Sequence, residues 1–491
     1  MKQYVLSVDQ STQGTKAFLF DGEGAFLCRA GLPHRQMIDG HGWVEHDPEE
    51  IWRNTLAVVR LVVEKAGVDK NSIAVLGISN QRETSVCWDR RTGKPVCNAI
   101  VWQCARGAAI CRDIEARGHG DFVHQKTGLP LSPYFPASKL AWIFQNVEGA
   151  AEKARNGEIC AGTIDSWLVY RLTGGERHQT DYSNASRTQL FNINALEWDR
   201  DLLSLFAIPA ECMPEVTDSD GDYGVTDFDG WLDTPIPIRS VLGDSHAALF
   251  GQGCLRPGMV KATYGTGSSI MMNAGESPVY SNAGLASSLA WKINGKVNYV
   301  LEGNINYSAA VVSWLKDGLQ LIAQPDETEA LARSANPADT TYLVPAFSGL
   351  GAPYWDSDAK AAFIGMTRTT GKNEIVRAAL DCIAYQITDI IRAMAQSAGM
   401  PIGELRADGG ATKNRYLMQF QSDMLNIPVR VPEVEELSGI GAAWVAGMAA
   451  GIYIASPHDK MQSALYTPEM PEQIRLEKYA GWMDAVRRVR L

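Results

Sequence analysis

Two short turns carry the residue types that hold phosphate. One is the Ser-Thr-Gln-Gly cluster at 11–14, inside "YVLSVDQSTQGTKAFLFDGEG"; the other is Gly265-Thr266-Gly267, inside "GMVKATYGTGSSIMMNAG". Each stretch alternates apolar and polar residues, breaks, and alternates again, which predicts strand, turn and strand. Small, hydroxylated, glycine-containing turns bring backbone N–H groups and Thr hydroxyls up to a phosphate with no Cβ in the way. A single Gly-Thr turn is usually only a turn. Two, one in each half of the chain, are better explained by phosphates held between two similar domains. A third stretch, "LGDSHAALFG" at 242–251, sets Asp244 between the apolar strand pattern "TPIPIRSVLG" and an apolar helix pattern. An acid before a helix is ordinarily its N-cap; Ser245 and His246 beside it raise the question of a further role.

The elements that must position these residues belong to a large globular chain. At 491 residues the chain exceeds what one core supports, and its 45% apolar and 21% charged content is that of a folded protein. Two domains, 1–247 and 248–491, are expected, of α/β class. A net charge of −11 without a like-charge block argues against nucleic acid and anionic membrane as partners. The N-terminal residues enter a strand pattern at once, with no signal-peptide pattern. The uncharged run "LSGIGAAWVAGMAAGIYIAS" (437–456) is diluted by Gly, Ala and Ser and reads as a buried, tightly packed helix, not a membrane span. Nine cysteines with no CxxC pair suit a reducing cytoplasm, and Cys104 and Cys111 read as core. No GxxxxGK[ST] occurs, "GIGAAWVAG" fails as a dinucleotide fingerprint, and no HExxH or His/Cys cluster suggests a catalytic zinc.

Beyond these patterns, the stretches "GWVEHDPEEIW", "NQRETSVCWDRRTGKPVCNAIVWQC", "DYSNASRTQLFNI", "TYGTG", "VPAFSGLGAPYWD", "DGGATKN" and "LMQFQSDMLNIPV" resemble the FGGY family of carbohydrate kinases, and within it the glycerol kinase branch. Its two signature segments look present as "YFPASKLAW" and "FIGMTRTTGKNEIVRAALD". The resemblance implies two ribonuclease-H-like, actin-like ATPase domains with the active site in the cleft between them, and phosphoryl transfer from ATP with Mg²⁺ to a terminal hydroxyl of a small polyol or sugar. It assigns Asp244 as the catalytic base and Asp9 as the magnesium-associated aspartate. It places Thr12, Gln13, Lys16, Thr266, Ala309, Ser313, Gly410 and Asn414 at the nucleotide, and Arg82, Glu83, Trp102, Tyr134, Asp244, Ser245, His246 and Ser269 at the acceptor. A homodimer or homotetramer is implied as well.

The chain departs from that branch at several of these positions. Ser245-His246 stands where glycerol kinases have Gln-Gln, Ser269 where they have a Phe, Lys16 where they have an Arg, and Ala309 and Ser313 where they have Gly and Gln. The Ser substitutions predict a larger, more polar pocket suited to a four- or five-carbon polyol or ketose, with a true glycerol kinase as the alternative. His246 is either a donor to that acceptor or a structural histidine. "DFDGWLDTPIPIRS" lacks the Gly-Gly-Thr-Arg loop that binds fructose 1,6-bisphosphate in some glycerol kinases, so no such inhibition is expected. A catalytically silent sugar-binding regulator on the same fold is the reading of a different class.

Overall fold

A computed structural model describes residues 3–454 and 457–490. Each half has one main sheet, the N-terminal half adding a separate five-stranded one, and the two main sheets share a core wiring diagram. In the first, β1 (Tyr4–Gln10), β2 (Gly14–Phe20), β3 (Phe26–Pro33), β4 (Ile73–Asn80) and β5 (Ile236–Gly243) lie in the order β3-β2-β1-β4-β5. The first three are antiparallel; β4 and β5 run parallel to β1. In the second, β6 (Val260–Tyr264), β7 (Ser268–Gly275), β8 (Ala286–Ile293), β9 (Lys296–Ile305), β10 (Leu405–Asp408) and β11 (Val429–Pro432) give β8-β9-β7-β6-β10-β11. Apart from the added edge strand β8, the two orders match, with both phosphate-type turns in the first hairpin of their sheet. This is the doubled α/β architecture that the sequence predicts.

The central strands β1, β2, β4 and β5 are buried on both faces, which is why their apolar runs are nearly continuous, while the edge strand β3 is largely exposed. Leu6, Val8, Ala17 and Leu19 pack against Ile51, Val58 and Val62 of the helix Pro48–Ala66. Val5, Phe18 and Phe20 point the other way, toward the helix Leu437–Ala449. That helix explains its own glycines: a Cβ at Gly441 would sit 1.9 Å from the Ala247 carbonyl oxygen, so the helices Leu437–Ala449 and Asp244–Gly251 touch backbone to backbone. The run expected to be helical through 456 ends its helix at Ala449, where Gly451 at φ 69° turns the chain; residues 455 and 456 lie outside the described residues. No helix among the described residues is long and apolar enough to cross a membrane. The expected border at 247/248 falls within the helix Asp244–Gly251. All nine cysteines are unpaired, and Cys104 and Cys111 are buried.

Register decides what meets at the cleft. Gln10 pairs with Asn80, and Asn80 with Gly243. The ends of β1, β4 and β5 therefore lie level, and the residues just before or beyond them, Asp9, Arg82, Glu83 and Asp244, converge on one edge of the sheet. In parallel α/β sheets this carboxyl edge is where ligands bind.

Candidate active site

Between the two halves lies a cleft of about 670 Å³, lined among others by Trp102, Tyr134, Asp244, Ser245, Lys261 and Ser269. Asp244 is the first residue of its helix; the cap position belongs to Gly243, whose extended backbone (φ −62°, ψ 145°) needs no side chain there. The Asp244 carboxylate accepts the Ser245 N–H at 2.6 Å and keeps a third of its side chain exposed to the cleft. Burial raises its pKa, and the Arg82 guanidinium opposes the rise. Such a carboxylate is more basic than a surface one. Trp102 and Tyr134 form one wall with ring centroids 5.4 Å apart. The Trp102 indole N–H donates to Thr12 Oγ1 at 2.9 Å, which ties this wall to the first phosphate-type turn.

Beneath the cleft floor lies a closed square of buried charge. Both Nη groups of Arg82 donate to Glu302, at 3.0 and 3.1 Å. Arg187 Nη1 lies 2.9 Å from Glu302 Oε2, and Arg187 Nε donates to Glu83 Oε1 at 2.9 Å. The Glu83 carboxylate closes the square 3.5 Å from Arg82 Nε. Every side chain in it is at most 4% exposed. Arg82 Nε lies 3.3 Å from Asp244 Oδ1 but makes no aligned hydrogen bond, so one guanidinium donor is buried without a partner behind Asp244. The two arginines hold Glu302 ionised well below the usual carboxylate range in spite of its burial.

A second cavity, about 480 Å³, belongs to the C-terminal half alone and includes Tyr264, Thr266, Ala309, Ser313, Gly410 and Asn414 in its lining. Gly265 lines both spaces, so the Gly265-Thr266-Gly267 turn is the shared wall. Gly409 makes this pocket possible: its φ is 96°, and a Cβ would lie 2.5 Å from the Tyr264 carbonyl oxygen. Asn414 caps the helix Arg415–Leu425 through the Leu417 N–H and donates to Thr328 Oγ1 at 3.0 Å.

Residues 4–251 match the N-terminal domain of the FGGY family of carbohydrate kinases, and residues 260–450 match its C-terminal domain. The chain belongs to this family. It is 50% identical to glycerol kinase 1 of Thermotoga maritima over 491 residues, covering 99% of each chain. Among solved structures it resembles the Plasmodium falciparum glycerol kinase with ADP (TM-score 0.95, 37% identity, 99% and 98% of the chains covered). It also shares the fold of a ligand-bound xylulose kinase from Lactobacillus acidophilus (TM-score 0.89, 21% identity, 99% and 98% covered). The chain is thus an FGGY carbohydrate kinase, a phosphotransferase with the actin-like two-domain fold.

In this kinase five of the residues expected at the nucleotide, Thr266, Ala309, Ser313, Gly410 and Asn414, line one pocket. The first hairpin contributes differently. Thr12 is half-buried, Gln13 is exposed at the turn, and the Lys16 ammonium is held 2.9 Å from Glu436 instead of standing free. Asp9 accepts the Ser79 hydroxyl at 2.8 Å; its pKa is raised to about 6 by burial, partly offset by Ser79, with the nearby Asp244 carboxylate adding to the rise. Asp9 with the nearby Asp244 charge is of a number and chemistry that Mg²⁺ can take, since it needs no more than one or two protein carboxylates.

His246 is a correction to the sequence reading. It is fully buried behind the cleft, its Nε2 3.5 Å from Ser288 Oγ, and burial next to Arg82 and Arg187 holds it neutral. Two residues along a helix is a rotation of about 200°, so His246 and Asp244 face opposite sides. The sequence reading missed Glu302, Arg187, Lys261 and Lys139. Lys261 and Glu302 are lone charges inside otherwise apolar strand patterns, "MVKATY" and "YVLEGN", and that is the signal by which they stand out. Lys139 is buried and donates to the carbonyl oxygens of Pro133, Tyr134 and Phe135, which holds the Tyr134 segment in place.

Proposed function

We propose that this kinase transfers the γ-phosphoryl group of MgATP to a terminal hydroxyl of glycerol. The observation that carries the reaction is the shared Gly265 wall: a nucleotide-sized pocket opens there onto a cleft whose floor holds Asp244. The acceptor comes from likeness, since relatives 50% and 46% identical over nearly their whole length are glycerol kinases. In this scheme the acceptor hydroxyl gives its proton to Asp244 as its oxygen bonds to the γ-phosphorus. The bond from that phosphorus to the bridging oxygen breaks, and its electrons leave with ADP. A primary alcohol hardly ionises at pH 7, so a carboxylate in hydrogen-bond reach assists it. The Arg82 guanidinium stands 3.3 Å behind the Asp244 carboxylate, and the Trp102–Tyr134 wall packs the acceptor's carbons. The turn at Thr266, with Thr12 across the cleft, cradles the phosphates. Asp9 would hold Mg²⁺, which supplies charge neutralisation on the transferring group.

Ser245 and Ser269 both line the cleft, and this favours a second reading with a four- or five-carbon acceptor. One assay separates the two. ADP release is measured with glycerol, tetritols, pentitols and pentuloses. A kcat/KM for glycerol at least about tenfold above the others supports the first reading, since one or two unmatched groups are worth that much. A longer polyol or ketose leading by a similar margin overturns it.

A further inference from the structure

None of the four charges in the buried square lines the acceptor cleft or the nucleotide pocket. Burying ions is costly unless each is paired, and apolar packing of equal volume generally stabilises as much or more. The arrangement therefore calls for a reason other than stability. Three of its members, Arg82, Glu83 and Arg187, come from the N-terminal half; Glu302 alone comes from the C-terminal half, on β9. Its two oxygens take both Nη groups of Arg82, a fork that fixes the guanidinium plane. The remaining donor of that plane, Nε–H, lies between Asp244 Oδ1 at 3.3 Å and Glu83 Oε1 at 3.5 Å and is hydrogen-bonded to neither. Arg187 braces the opposite side, bridging Glu302 and Glu83. Ser269, on the cleft wall, lies with its Oγ 3.4 Å from Glu302 Oε1, so the same carboxylate also touches the acceptor's surroundings from behind.

From this geometry we propose that Glu302 is a positioning residue for the acceptor site: reaching across from the C-terminal half, it fixes the Arg82 guanidinium beside Asp244, with Arg187 as its brace. This rests on the reading of Asp244 and Arg82 as the acceptor site. It makes acceptor affinity depend on how the two halves meet, while the nucleotide pocket, built from one half, does not share that dependence.

The test compares Glu302→Gln and Arg187→Lys with Asp244→Asn in steady-state assays on glycerol and on whichever acceptor the panel favours. The amide of Glu302→Gln keeps the shape but turns an N–H₂ toward one guanidinium. KM for the acceptor is expected to rise about 10- to 100-fold, with KM for ATP within about twofold. Arg187→Lys, which keeps the charge and loses the second arm, should show the same pattern at a few-fold to tenfold. Acceptor KM unchanged in both, KM for ATP rising in parallel, or loss of folding in both variants overturns the proposal and leaves the square a structural feature. If Asp244→Asn retains its rate, the base reading itself has failed; if it is inactive while Glu302→Gln binds acceptor normally, only the positioning role has failed.

Discussion

The nucleotide pocket and the acceptor cleft share one glycine and little else. The first is walled by a single half of the chain, and its local frame is set by capped helices and glycine turns: Asn414 caps its helix, and Gly409 lets the loop press onto Tyr264. The second is assembled from both halves, and its electrostatics depend on charges that have no surface of their own. Arg82 and Glu302 are 220 residues apart in sequence and make a two-bond fork. A single-domain pocket of short motifs is robust to how the domains meet. A two-domain cleft with its arginine steered from the other side is where acceptor choice and domain arrangement become coupled.

The largest expected effect tests the cleft's chemistry alone. Asp244→Asn keeps the shape and loses the proton acceptor, so kcat should fall about 10²- to 10⁴-fold. Nucleotide affinity, measured by calorimetry with ADP, should be unchanged, because no atom of Asp244 lines the other pocket. A variant retaining more than about a third of the rate would remove the base assignment.

Next comes the arginine. Arg82→Met deletes a charge-assisted donor, a loss of roughly 1.5–3 kcal/mol, or about 10- to 150-fold in kcat/KM for the acceptor. The pH profile carries a second signature. If Asp244 is the base it works as a carboxylate, so activity is lost as pH falls through its pKa; burial raises that pKa and Arg82 opposes the rise. Removing the guanidinium must therefore move the acid limb of kcat/KM to higher pH. An acid limb that stays put, or moves down, would show that another group governs it. By contrast, Gly409→Ala breaks the other pocket. With φ at 96° and Tyr264 O only 2.5 Å from the new Cβ, the strain is about 1–3 kcal/mol. KM for ATP should rise and the thermal midpoint should drop, while KM for the acceptor stays within about twofold.

How much of this was legible in the sequence follows the same division. Both hairpins, the helix start at Asp244 and the glycine-rich helix 437–449 follow from local patterns of period 2 and 3.6, which is why they could be read. Five of the eight residues expected at the nucleotide, Thr266, Ala309, Ser313, Gly410 and Asn414, line one pocket, because each sits on a short motif within one half; Thr12, Gln13 and Lys16 belong to the other half and do not line it. His246 could not be placed from its neighbours, since whether a helical residue faces a cleft depends on which side the partner packs, here the buried side. Glu302 and Arg187 were invisible as partners for a different reason. A pairing across 220 residues has no local period, and only the lone charge in an apolar strand hints at it. The same limit applies to Lys16, whose ammonium is engaged by Glu436 from the other half.

The smallest effect is also the one that sharpens the comparison most, because it concerns acceptor choice and not rate. Ser269 sits on β7 opposite Asn304, lines the cleft, and touches Glu302 with its hydroxyl. Ser269→Phe places a ring where the cleft now holds a small polar group. It also withdraws a side-chain hydroxyl that lies between the acceptor space and the buried square. If glycerol is the acceptor, the ring adds an apolar wall beside three carbons, and glycerol turnover should hold or improve. Any four- or five-carbon acceptor loses room in the same step. The ratio of kcat/KM for glycerol over the best longer polyol should then rise by a factor of about ten, the lower end of what one pocket group is worth. The ring also loosens the Glu302 contact, so a simultaneous rise in KM for every acceptor would mean that Ser269 acts through the Arg82 fork and not through pocket volume. A ratio that does not move at all would show that the acceptor's carbons end short of β7, and that the serine there leaves acceptor choice untouched.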